Sequence, residues 1–257
     1  MEKQQRRNDP ILAETTVHKV NLWAPFRIRI NSKYSFIRLS FIFDVIAYAI
    51  FLIFGIFLFL VHEIFWQLRV YGRENLKLIK GKGAVTVSNH VHPLDVTMIG
   101  VTLFPRKVYF SGQQNPFKTP VIRLLIRMLG AFPLPVSVVG FRKMMDDIKK
   151  ALARGRLVHI YPEVAMWPYH RPIRPFKDGA FYFAVLNDAP MLPMVFVFNR
   201  KSRYNKARLI ICKPVMPVDC LTEPHGKISH RDHAILLRDH VREIMQRTEE
   251  DYYITLK

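Results

Sequence analysis

Cysteine is nearly missing from this chain: Cys212 and Cys220 are the only two in 257 residues. Two thiols without other ligand types at metal spacing exclude a disulfide framework and a structural zinc site, and they suit a reducing compartment. Acidic residues are also scarce, 20 against 39 lysines and arginines, for a formal charge of +19. An excess of that size implies an anionic partner: nucleic acid, a phospholipid surface or a phosphorylated small molecule. No recognition module accompanies the charge, which argues against nucleic acid. Internal repeats and low-complexity tracts are absent. His225, His230, His233 and His240 form no metal-ligand pattern, so no metal is expected.

What is plentiful is apolar sequence. Half of the residues are hydrophobic, enough for a substantial core without staples. The stretch "VIAYAIFLIFGIFLFLV", between Asp44 and His62, lies at the lower limit of a bilayer span and is longer than an ordinary core helix. A signal peptide is not expected, because many polar residues precede the run and no small-residue cleavage site follows it. Basic residues flank both sides: Lys3, Arg6, Arg7, Lys19, Arg27, Arg29, Lys33 and Arg38 before it, Arg69, Arg73, Lys77 and Lys80 after it. Both flanks therefore look cytoplasmic. A re-entrant or in-plane helical pair bending at Gly55 satisfies both; a plain short span is the alternative. These features predict a membrane-associated chain at the cell membrane, its main domain on the cytoplasmic face, with residues 1–70 as basic leader and hydrophobic helical segment and 71–257 as one α/β domain.

Beyond Gly83 short strands and helices alternate. Strands are predicted at 84–88, 107–111, 156–161, 191–198 and 208–215, and helices at 93–104, 115–130, 142–155, 178–188 and 229–247, the last capped by Ser229. The alternation means an α/β fold with a mixed central sheet flanked by helices, whose ligand site lies beyond the carboxyl ends of the strands. "GKG" at 81–83 lacks P-loop spacing. "HRD" at 230–232 opens an amphipathic helix and has Leu237 where a kinase loop needs asparagine.

The stretch "SNHVHPLDVTMIG", residues 88–100, carries the chemistry. Pro93 suits the first residue of a helix, which puts Asp95 in the first turn and His90 in the preceding loop. On one continuous helix the two side chains would diverge by roughly 140°. With His90 in the loop, Asp95 can accept from one ring nitrogen and leave the other as a base. No serine or cysteine occupies a nucleophile elbow, so such a pair would deprotonate a hydroxyl of the substrate itself.

"NHVHPLD", with Asn89, His90 and Asp95, resembles the Asn-His-x4-Asp block of the glycerolipid acyltransferase family. "HIYPEVAMW" is similar to its Pro-Glu-Gly-Thr-Arg block, with Pro162 and Glu163 retained. "FKDGAF" and "APMLPMVF" follow in the family's order, so the likeness runs from residue 83 to about 200. The resemblance implies an O-acyltransferase of phospholipid biosynthesis that moves a fatty acyl group from acyl-CoA or acyl-carrier protein to a lysophospholipid, 1-acylglycerol 3-phosphate above all. It implies no cofactor beyond that donor. His90 would be the general base, Asp95 its orienting partner and Glu163 an acceptor-binding or supporting carboxylate, or else a loop or capping group. His92 stands as an alternative base or a helix cap.

The departures concern the acceptor. Leu134 and Pro135 occupy the place of an arginine associated with the acceptor phosphate, and Val164, Ala165 and Met166 replace Gly, Thr and Arg. Arg142, Lys143, Arg171, Arg174 and Lys177 are the neighbouring candidates to bind the phosphate, or are solvated surface charge. The acceptor alternatives are glycerol 3-phosphate, a glycolipid or an amino-containing lipid, and the alternative to an enzyme is a membrane-binding scaffold of the same fold.

Overall fold

The computed structural model of the chain describes residues 34–199, 206–221 and 228–255; the basic leader through Lys33 and His225 lie outside them. The described part is built on a seven-stranded sheet in the order β1-β7-β6-β2-β5-β3-β4. Its strands are β1 (Arg69–Tyr71), β2 (Ala84–Ser88), β3 (Val108–Gly112), β4 (Ala131–Pro133), β5 (Leu157–Ile160), β6 (Met191–Asn199) and β7 (Lys206–Ile211). Every neighbouring pair is parallel except β6 and β7. This is a mixed sheet, as the alternation of elements predicts. Central β2 is buried at all five positions, as expected of a strand covered on both faces.

Six helices are described: α1 (Phe41–Trp66), α2 (Asp95–Leu103), α3 (Pro120–Met128), α4 (Val138–Ala153), α5 (Gly179–Leu186) and α6 (His230–Thr255). Period-two alternation sorts the strand side chains between two cores. Val85, Val87, Val158, Val195 and Val197 face Met144 and Ile148 of α4, Phe181 of α5, and Leu237 and Met245 of α6. Ala84, Leu157, Met194 and Phe196 face Met98, Ile99 and Leu103 of α2.

Two elements differ from the expected boundaries. The helix anticipated over 115–130 is a 3-10 turn (Asn115–Lys118) followed by α3, because Pro120 has no N–H to continue the turn and holds Thr119 extended. Gly130 closes this unit at φ +97, where a side chain would meet the Val108 carbonyl at 2.2 Å. The strand foreseen to residue 215 ends at Ile211, and Val215 contributes one isolated bridge to Met191. A boundary after residue 70 falls inside β1, and Phe36 and Ile37 already belong to the core.

The hydrophobic run does not bend at Gly55. α1 is one unbroken helix of 26 residues, about 39 Å long at 1.5 Å per residue. Its length and mean hydropathy of 2.6 would allow it to cross a membrane. It nevertheless touches the α/β layer near both ends and in its middle. Near its start Asp44 pairs with Arg156 at 3.0 Å, beside the beginning of β5. In the middle Tyr48 and Phe51 stack on Phe104. Near its end His62 Nε2 donates to the Thr97 hydroxyl at 3.0 Å, that hydroxyl itself donating to the Leu94 carbonyl. Phe41, Ile42, Ile53, Ile56, Phe57 and Ile64 on the opposite face are exposed.

Candidate active site

β2 and β5 are neighbours in the sheet, and the loops leaving their carboxyl ends meet. β2 is followed by Asn89 and His90. The Asn89 side chain donates to the Phe196 carbonyl at 2.9 Å and accepts from the Phe196 N–H at 2.8 Å, fastening the start of the loop to β6. Two further hydrogen bonds fasten the loop to the segment after β5: Trp167 N–H to the His90 carbonyl at 3.0 Å, and Tyr169 N–H to the Val91 carbonyl at 2.9 Å.

α2 starts at Asp95 rather than at Pro93, with Pro93 and Leu94 in a turn before it. The turn is closed by His92, whose Nδ1 accepts from the Leu94 N–H at 3.1 Å. This bond lies in the turn before α2, whose own N-cap position is Leu94. The His92 ring is enclosed by Trp66, Tyr169 and Phe198, and burial lowers its pKa, with Asp95 opposing weakly.

The chain folds back as the sequence requires. His90 Nδ1 lies 2.7 Å from Asp95 Oδ2. Asp95 is completely buried, whereas the His90 side chain keeps 20% of its surface open. An ionised carboxylate is an acceptor only, so Nδ1 carries the proton and Nε2 is left as the basic nitrogen.

Beneath this pair lies a polar layer that sequence reasoning missed. Tyr161 donates its hydroxyl to Asp95 Oδ1 at 2.7 Å, and its ring stacks on that of His90 with centroids 3.9 Å apart. His159, wholly buried, follows below. Its Nδ1 accepts from Thr86 Oγ1 at 2.9 Å, and its Nε2 donates to Ser88 Oγ at 3.4 Å, the serine hydroxyl being committed to the Asn89 carbonyl. The ring is thus satisfied as a neutral group. Burial, with a smaller contribution from His90, pushes its pKa down to about 3. The signal in the sequence was period two: His159 and Tyr161 in "RLVHIY", and Thr86 and Ser88 in "AVTVS", are polar groups on one face of strands that otherwise read as continuously apolar.

Glu163 emerges at the same sheet edge as His90. Its two oxygens accept backbone N–H groups, Oε2 from His90 at 3.4 Å and Oε1 from Arg174 at 3.2 Å. Burial raises its pKa, with the two N–H donors opposing. Pro162 is buried, and its carbonyl accepts from the Lys177 N–H at 2.9 Å.

The five basic candidates separate. Arg174 is next to Glu163, its guanidinium bonded to the Ala165 carbonyl at 3.0 Å and placed over the Trp167 ring. Lys177 lies on the same segment with an exposed side chain. Arg171 turns away, covering the Tyr253 ring and pairing with Glu249 of α6 at 3.3 Å. Lys143 pairs with Asp147 on α4, and Arg142 is exposed on that helix. The departures in the third block leave a trace in the backbone: Val164 has φ +68, a left-handed conformation that suits the glycine it replaces.

At the carboxyl edge of the α/β sheet, the site is thus defined by a buried carboxylate hydrogen-bonded to a partly exposed histidine. The comparisons with known proteins give the family. The family model described as Acyltransferase matches residues 67–197, and the chain belongs to that family. Similar curated proteins are the human 1-acyl-sn-glycerol-3-phosphate acyltransferase beta, 29% identical over 54% of this chain and 52% of its own length, and the Saccharomyces cerevisiae 1-acyl-sn-glycerol-3-phosphate acyltransferase, 23% identical over 64% and 57%. The chain therefore spans about half the length of the curated relatives it matches. The crystal structure of the 1-acyl-sn-glycerophosphate acyltransferase PlsC from Thermotoga maritima shares the fold, with a TM-score of 0.54, 22% identity and 72% of each chain covered.

Proposed function

We propose that this chain transfers a fatty acyl group from an acyl thioester, acyl-CoA or acyl-carrier protein, to the free hydroxyl of 1-acylglycerol 3-phosphate at a membrane surface. The observation that carries the reading is the Asp95–His90 pair, which leaves Nε2 as the outward-facing base. The acceptor hydroxyl donates its proton to Nε2 while its oxygen attacks the thioester carbonyl. Asp95 stabilises the imidazolium that forms. Collapse of the tetrahedral intermediate breaks the C–S bond, and His90 returns the proton to the leaving thiolate. The relatives' names support this acceptor class.

Arg174 and Lys177, on the segment tied to Glu163 and Pro162, are the proposed partners of the acceptor phosphate. α1 is proposed to lie in the plane of the bilayer with its exposed apolar face in the acyl region, since both of its ends are fastened to the α/β layer. Val121, Leu124 and Leu125, exposed on neighbouring α3, extend that surface, and the surplus of positive charge favours anionic lipid on the cytoplasmic side. Trp66, at the end of α1, touches His92 two residues from the base, which sets the proposed membrane helix beside the site.

The test offers purified protein in mixed micelles each donor with lysophosphatidate, glycerol 3-phosphate and a crude lipid extract, and identifies products by mass spectrometry. Phosphatidate from lysophosphatidate supports the proposal, and a product from another acceptor moves the specificity. Silence with every acceptor would favour a non-catalytic membrane-binding scaffold, the reading to which the altered third block lends weight.

A further inference from the structure

We infer that Tyr161 is a positioning residue of this site, holding Asp95 with its hydroxyl and the His90 ring with its own ring so that Nε2 stays outward. The inference rests on the reading of His90 as the base.

The geometry joins three side chains from three segments: the loop after β2, the start of α2 and the residue after β5. Tyr161 Oη donates to Asp95 Oδ1 at 2.7 Å, while Oδ2 of the same carboxylate receives His90 Nδ1 at 2.7 Å. Asp95 has no exposed surface, so these two donors take the place of water for a buried charge. The tyrosine ring lies against the imidazole at an interplanar angle of 16°, which blocks rotation of His90 about its Cβ–Cγ bond on that side. Tyr161 is itself braced: the His159 ring meets it edge-on at 4.6 Å, and its carbonyl accepts the Val164 N–H at 3.1 Å. Burial and the adjacent carboxylate keep the phenol protonated, so it stays a donor. A phenylalanine here would keep the stack and leave Oδ1 buried without its donor.

Other titratable groups face the dyad. From β5 and its following loop these are His159 and Glu163, the latter bonded to the His90 N–H and flanked by Arg174. From the loop before α2 it is His92, which feels the charge of Asp95. None of them hydrogen-bonds the Asp95 carboxylate.

The experiment compares the full chain with Tyr161→Phe in mixed micelles, with isotopically labelled histidine. The His90 resonance is identified by its loss in His90→Ala. Removing the phenol donor concentrates the carboxylate charge on the imidazolium, so the His90 titration midpoint is expected to rise by about half a pH unit or more. The kcat should fall roughly tenfold with the acceptor KM within about twofold, as for an interaction that matters in the transition state. The acid limb of kcat/KM should move up by the same amount as the midpoint. In an Asp95→Asn background the substitution should no longer move the midpoint. An unchanged midpoint and kcat in folded Tyr161→Phe, or a shift that persists without the carboxylate, overturns the inference. The titration needs no substrate: a shifted midpoint in a protein that acylates nothing would retain the coupling and refute the proposed function, and an unshifted one in an active enzyme would do the reverse.

Discussion

The side-chain amide of Asn89 and the backbone of Phe196 exchange two hydrogen bonds, so that one residue after β2 continues the ladder onto β6 with its side chain. Both atoms are buried, and the arrangement requires a donor and an acceptor on the same side chain. Asn89→Asp places a carboxylate oxygen against the Phe196 carbonyl. It should destabilise the protein by about 2–3 kcal/mol, the cost of a buried unsatisfied polar group, and lower activity by displacing His90. Denaturant titration and turnover of the variant check both; wild-type stability would show that the clamp is dispensable.

Val164 is a β-branched residue in the left-handed region, and it is 61% exposed, so little burial offsets that conformation. Val164→Gly removes the steric cost of that conformation and adds some unfolded-state entropy, for a net gain of about 1 kcal/mol or slightly less. Thermal unfolding should show a higher midpoint for the variant.

His159 makes the fold sensitive to acid. The unfolded chain protonates it near its ordinary value of 6.5, and the folded chain not until about 3. Between those limits the unfolded state binds more protons, so stability is greatest above the upper value and falls as the pH drops, by up to about 1.4 kcal/mol per pH unit. His159→Gln keeps polar atoms beside Thr86 and Ser88 and removes the titration. Its unfolding free energy should vary less between pH 7 and pH 5 than that of the wild type.

Glu163 holds the backbone of His90 on one side and of Arg174 on the other. Glu163→Gln turns one acceptor into a donor facing an N–H, which should cost about 1–3 kcal/mol of stability. Steady-state kinetics should show kcat reduced about tenfold with the acceptor KM within about threefold, the signature of a loop holder. A large rise in KM alone would assign Glu163 direct contact with the acceptor.

The dyad was legible because it depends on local geometry: Pro93 ends the loop, and Asp95 opens the helix that faces back to His90. The mixed sheet was legible for the same kind of reason, strand and helix periods that alternate along the chain. Tyr161 and His159 were not singled out, because their role depends on the register that sets His159 beside Thr86 across two strands. Arg171 looked available from sequence, yet its partner Glu249 lies 78 residues further on. Asp44 marked only the edge of the apolar run in the sequence; its ion-pair partner Arg156 lies 112 residues away. Contacts of that range are settled by packing, which local pattern does not encode.

We propose Nε2 of His90 as the base for acyl transfer to a lysophospholipid hydroxyl. That role is tested most directly by comparing wild type with a folded His90→Ala protein in the mixed-micelle assay, each supplied with acyl thioester and lysophosphatidate. Phosphatidate is expected from the wild type, and a rate reduced by at least about a hundredfold in the variant. Equal turnover by the two proteins would contradict it.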